Sequence, residues 1–132
     1  DRLKKLGDEG VIIYHGVVKD MARVYAKMSC TIHPTYYPEG LSNVLLESSA
    51  CGRPIITTNR SGCREVIENG VNGYVIEEKN SRDLINKIEI FLGKSVEERK
   101  QMGMNGRRKV EKEFDRNIVI KKYLEEIKKI PN

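Results

Sequence analysis

Four short runs rich in β-branched and aliphatic residues, each too brief for a helix, set the strongest constraint on how this chain can fold. They are VIIYH at 11–15, TIH at 31–33, PIIT at 54–57 and YVI at 74–76. Strands apolar on successive positions are apolar on both faces, so they belong in a sheet covered on two sides. Pro34 stops the second run, because proline cannot donate to a ladder. Helical spacing fills the gaps. Met21, Val24, Tyr25 and Met28 recur on one face of 20–28, and 43–51 reads as a helix with Gly52 at its stop. Residues 65–68 read as a short helix at most. Beyond Ser81, read as an N-cap, helical character runs to the end. One stripe holds Leu84, Ile85, Ile88 and Leu92, another Ile118, Ile120, Tyr123, Leu124 and Ile127. Strands alternating with helices predict an α/β chain with a parallel sheet of about four strands.

Charge divides the 132 residues in two. Residues 1–93 hold 12 Lys/Arg and 12 Asp/Glu, whereas 94–132 hold 12 and 7, so the whole net charge of +5 lies in the tail. The division predicts an α/β core over 1–93 and basic C-terminal helices over 94–132 packing on it. A basic tail fits an acidic partner, anionic membrane included, although a solvated helical face is the simpler reading. Nucleic acid is disfavoured by the few aromatics there, Phe114 and Tyr123. No apolar run approaches the roughly 20 residues that span a bilayer. Three irregularly spaced cysteines, Cys30, Cys51 and Cys63, fit reduced thiols in the cytosol better than a disulfide framework or a zinc site. The chain opens on Asp1 rather than Met, so an upstream segment is expected.

Several sites are excluded by spacing. No two of the 11 glycines are two or five residues apart, which removes the dinucleotide fingerprint and the Walker A loop. No Asp-x-Asp pair is present, and His15 and His33 alone are too few for a zinc site, so no metal site is expected. Gly-x-x-Gly occurs three times, without other signs of nucleic-acid binding.

The informative stretch is PEGLSNVLLESSACG at 38–52, where a loop after the second strand leads into a helix at Ser42 or Asn43. The first turn of that helix carries no acid. An acid there would add about 0.3–1 kcal/mol, and its absence leaves the unpaired N–H groups available to an external anion such as phosphate. A simple cap by Ser42 or Asn43 accounts for the same pattern. Ligands of open α/β sheets sit at the carboxyl ends of strands, where this loop falls. Glu39 and Glu47 flank it, and a carboxylate accepts two hydroxyls at once, which suits a ligand with polyols on either side of a diphosphate.

These residues resemble the signature of glycosyltransferase family 4, retaining enzymes of the GT-B fold. The resemblance rests on Glu39, seven residues, Glu47, then ACGRPIITT at 50–58, and continues through Gly62, Glu65-Val66 and NGVNG at 69–73. Upstream, Tyr14-His15-Gly16 followed by Asp20 is similar to the family's strand and turn into the next helix. Ser48-Ser49 departs from the more usual Ala-Met, and His15 stands where a smaller or apolar residue is common.

The resemblance implies a Rossmann-like sheet forming the later part of a GT-B C-terminal domain. It implies Glu39 as the catalytic-site acid holding donor-sugar hydroxyls. The N–H groups of Gly40, Leu41, Ser42 and Asn43 would meet the diphosphate or sugar, Glu47 the ribose, and the backbone of Val18 the base. The donor would be a nucleotide-diphosphate-sugar, with no further cofactor and no metal. The acceptor would be a hydroxyl of a sugar or lipid-linked glycan, presented by an N-terminal domain absent from this chain, and the setting cytoplasmic, in surface polysaccharide or glycolipid synthesis. The fragment alone is expected to be inactive. Other classes are a different GT-B enzyme, such as a nucleotide-sugar epimerase, and a non-catalytic module binding nucleotide-sugar or anionic membrane. Cys51 and Cys63 read as packing residues, Arg53 and Arg64 as solvated, and Gly70 and Gly73 as turn formers.

Overall fold

The computed structural model describes residues 1–38, 40–114, 125, 128 and 129. Three strands form one parallel sheet in the order β1 (Thr31–His33), β2 (Ile55–Thr58), β3 (Gly73–Ile76). Ile55 pairs with Thr31 on one side and Gly73 on the other, and the register continues without a bulge to Thr58 opposite Ile76. Every residue of β2 is buried, as a central strand covered on both faces requires.

Alternation along β2 divides the core. Ile55 joins Leu45, Cys63, Val66 and Ile67 on one face, while Ile56 joins Tyr74, Ile76, Phe91 and Met102 on the other. The first cluster is roofed by α3 (Asn43–Ala50), and the second by α4 (Ser81–Leu92) together with Met102 of α5 (Val96–Glu113). Thr57 and Thr58 are buried polar residues whose hydroxyls donate to His33 O and Thr35 O at 2.8 and 2.7 Å. That satisfies them and fastens β1 and its following loop to β2.

Two glycines permit close backbone approach. A Cβ on Gly103 of α5 would stand 1.9 Å from Gly52 O, so that helix lies directly on the turn after α3. A Cβ on Gly73 would stand 1.8 Å from Ile55 O, so β3 can begin beside β2 only with glycine there. The third Gly-x-x-Gly is thus a packing device between α5 and the core.

Among the described residues the sheet has three strands rather than four. Residues 11–15 are irregular and outward-facing, with Val11, Ile13 and Tyr14 exposed by 67, 74 and 93%. The N–H groups of Val11 and Ile12 turn back to Leu6 O, at the end of a helix α1 (Arg2–Asp8) that the sequence pattern did not reveal. A strand needs a neighbour to complete its hydrogen bonds, and β1 pairs only with β2 among the described residues. The helix expected over 20–28 is α2 (Met21–Ala26), with Tyr25 as its buried residue. Residues 65–68 form a turn and irregular chain, not a helix.

The cap of α4 is Asn80, one residue before Ser81, its side chain accepting from Asp83 N at 3.0 Å. On α4 the inward residues are Leu84, Ile88 and Phe91, while Ile85 and Leu92 of the expected stripe are 54 and 59% exposed. The second expected stripe, at 118–127, lies outside the described residues.

Candidate functional site

The carboxyl ends of the strands open onto the loop at 34–42, and this loop is braced from behind. Thr58 Oγ1 holds Thr35 O, Arg60 Nη2 holds Tyr36 O at 2.5 Å, and the Ser42 N–H reaches Gly62 O at 3.0 Å. Gly62 is itself fixed, since its N–H donates to Glu65 Oε2 at 2.6 Å. A relay from Glu65 through Gly62 to Ser42 therefore sets where α3 begins. Glu65 and Gly62 belong to the sequence pattern, but this long-range link is visible only in three dimensions.

Ser42 caps α3. Its Oγ accepts from Leu45 N at 3.4 Å, with extended backbone at φ −75° and ψ 111°. Both of its polar handles are engaged and it is 5% exposed. It contributes the position of the helix end rather than an available donor. Asn43 and Val44 occupy the first two helical positions, so their N–H groups have no carbonyl within the helix to reach. No acid stands in this first turn, so the partial positive charge of the helix end is not neutralised from within. Gly40 and Leu41 precede it on the exposed side of the loop, and a Cβ on Gly40 would meet nothing within 4 Å.

Glu47 lies one turn into α3 and is exposed. Beneath it, Tyr25 of α2 is 5% exposed and directs its hydroxyl to Val44 O at 3.4 Å. Burial pushes the Tyr25 phenol up from its usual range, and the nearby Glu47 carboxylate raises it further by charge and hydrogen bonding, with Cys51 adding to the charge effect. Gly40, Leu41, Ser42, Asn43 and Glu47 thus share one helix end. Val18 is half-buried on the separate segment before α2, and the described link from α2 to α3 is Tyr25. Glu39 lies outside the described residues.

On the far side of the loop, the Tyr36 and Tyr37 rings lie 4.4 Å apart and the Lys79 ammonium stands 4.8 Å from the Tyr36 centroid. Tyr36 and Lys79 border a cavity of about 310 Å³ with Thr58, Ile76, Ser81 and Leu84. A second cavity, about 440 Å³, opens at the opposite pole between the turn after α3 and α5. There Arg53 is not solvated, as expected, but half-buried, donating to Met28 O at 2.8 Å and Cys51 O at 3.3 Å. Arg64 is exposed beside Glu65. No disulfide joins the cysteines, and burial raises the Cys30 thiol to about 12, far from a nucleophile's range.

The family model described as glycosyl transferases group 1 matches residues 1–109. The chain is 34% identical over 109 residues to the capsular polysaccharide biosynthesis glycosyltransferase CapM of Staphylococcus aureus, covering 83% of this chain and 28% of CapM. It is 38% identical over 97 residues to spore coat protein SA of Bacillus subtilis (strain 168), covering 73% of this chain and 26% of that protein. Its fold superposes on Anabaena HepE, solved in complex with UDP, with a TM-score of 0.89 at 22% identity, over 98% of this chain and 35% of HepE. The chain therefore spans roughly a quarter to a third of these proteins. Among the described residues, no helix is long and apolar enough to cross a membrane.

Proposed function

The chain belongs to the glycosyl transferases group 1 family, and from that premise we propose that it is the donor-binding part of a longer, retaining glycosyltransferase. In this reading a nucleotide-diphosphate-sugar lies across the start of α3. Its diphosphate meets the N–H groups of Asn43 and Val44 and the backbone of Gly40 and Leu41. Glu47 takes the ribose hydroxyls, Glu39 those of the sugar, and the backbone at Val18 the base. Cleavage of the bond from the anomeric carbon leaves negative charge on the departing diphosphate. Fixed N–H donors stabilise that charge without rearranging, and they do so more strongly in a site from which water is excluded. The acceptor is a hydroxyl of a sugar or lipid-linked glycan brought by the rest of the protein, in surface polysaccharide synthesis as the name of CapM suggests.

The observation that carries the reading is the acid-free first turn of α3 at the carboxyl end of the sheet, with an exposed carboxylate one turn further along. A capped helix with no ligand would be more stable with an acid in that turn. The test is the full-length protein assayed against a panel of nucleotide-sugars, alongside Glu39→Ala and Glu47→Ala. Transfer with retained anomeric configuration, weakened by either substitution, is the expected result. Wild-type turnover and donor affinity in both variants would refute the site.

A further inference from the structure

Tyr25 occupies the one buried position of α2, on a stripe otherwise filled by the half-buried Met21, Val24 and Met28. Packing alone would be served there by Phe or Leu. The phenolic hydroxyl has a place to go, but a poor one: Val44 O, at 3.4 Å, already lies inside α3. The better acceptor beside it is the Glu47 carboxylate, three residues on from Val44 and so on the same helical face. We propose that Tyr25 is a positioning residue, whose hydroxyl holds the Glu47 carboxylate in the orientation that accepts the two ribose hydroxyls of the donor nucleotide.

The geometry explains why such a holder is needed. Glu47 is exposed on an outer helical face and is not paired in any described ion pair. An unrestrained Glu side chain samples many rotamers, and ordering it on binding weakens affinity. A carboxylate offers about four lone-pair sites. One directed down to Tyr25 fixes its plane and leaves the others for a vicinal diol. The elevated phenol keeps its proton throughout the physiological range, so Tyr25 remains a donor there. Because Tyr25 belongs to α2, it also ties the segment carrying Val18 to the helix carrying Glu47. This inference rests on the donor-binding reading, and the experiment separates the two.

Full-length protein is titrated calorimetrically with ADP, CDP, GDP and UDP, and the tightest of these is then compared with its 2′-deoxy counterpart. Wild type, Tyr25→Phe and Glu47→Gln are measured in parallel. Wild type should prefer the ribonucleotide, and Glu47→Gln should abolish the preference. Tyr25→Phe, which deletes one oxygen, should reduce the preference about three- to tenfold, the range of a single hydrogen bond, with deoxynucleotide affinity unchanged. Equal weakening for both nucleotides, or no change in the ratio, overturns the role of Tyr25 while leaving the donor site intact. If none of the four binds, or if Glu47→Gln leaves the ratio unchanged, the donor reading fails and this inference with it. A second measurement leaves Tyr25 in place. Removing the charge with Glu47→Gln should lower the pH at which one tyrosine titrates in the ultraviolet spectrum, and an unchanged titration refutes the contact.

Discussion

Replacing Asn43 by Asp sets stability and function against each other. Asn43 is the first helical residue of α3, it is exposed, and no acid shares its turn. The substitution adds a charge with almost no change in shape. For the isolated fold it is favourable, because a carboxylate at a helix start contributes about 0.3–1 kcal/mol. For a bound diphosphate it is unfavourable. An anion resting on the Asn43 and Val44 N–H groups would lie about 6 Å from the new carboxylate, and at an effective dielectric constant of about 20–40 each unit charge repels it by roughly 1.4–2.8 kcal/mol. That corresponds to a loss of about 10- to 100-fold in donor affinity. Calorimetric titration with the donor nucleotide and thermal unfolding of the same sample measure both effects. The expected pair is a slightly higher Tm and a much weaker Kd, with the penalty shrinking at high salt because the position is exposed. A more stable variant that binds the nucleotide as wild type does would mean that no anion rests on this helix end.

Two further outcomes follow from packing and titration. Gly103→Ala places a Cβ 1.9 Å from Gly52 O, whereas at Gly106 the nearest atom is Asn72 Cβ at 3.4 Å. Although alanine gains up to about 1 kcal/mol in helix propensity at either site, Gly103→Ala should lower Tm by about 5–10 °C through overpacking. Gly106→Ala, where the new Cβ meets only ordinary contacts, should leave Tm unchanged or raise it by a few degrees, and equal melting of the two would contradict the close approach of α5. Burial raises the Cys30 thiol to about 12, so iodoacetamide at pH 8 should modify the half-buried Cys51 well before Cys30. A thiol whose folded value is raised stabilises fully below its unfolded value of about 8.5 and loses that contribution as pH rises toward 12. Cys30→Ala should therefore flatten the alkaline decline of stability between about pH 9 and 11, and an unchanged slope there would remove Cys30 as its cause.

The residues that show how far sequence reasoning reaches are those of β2 and of 11–15. Both are runs of β-branched and aliphatic residues with the same local preference, yet only the first is a strand. Local pattern records apolarity, whereas strand formation needs a partner supplied from elsewhere in the chain. The start of α3 was legible because capping and the missing acid are local chemistry. What was not legible is what reaches that helix from a distance: Glu65 through Gly62, and Tyr25 from below. Tyr25 was visible as a core position, but nothing in a stripe of Met and Val says where its hydroxyl points. Ile85 and Leu92 mark a difference of phase: the buried face of α4 follows Phe91 and lies a few tens of degrees from the stripe that apolarity alone marks out.

The contact between Gly103 and Gly52 has a mechanical consequence for α3. At its carboxyl end the helix is clamped by backbone touching backbone and by Arg53 gripping Met28 O. At its amino end the described tethers are two single hydrogen bonds, from the Ser42 N–H to Gly62 O and from the Tyr25 hydroxyl to Val44 O. The helix is a cantilever, rooted more firmly at the pole away from the proposed donor site. Adjustment to a bulkier or smaller guest at the proposed donor site would then fall on the exposed backbone at Gly40 and Leu41, while the beam keeps its bearing.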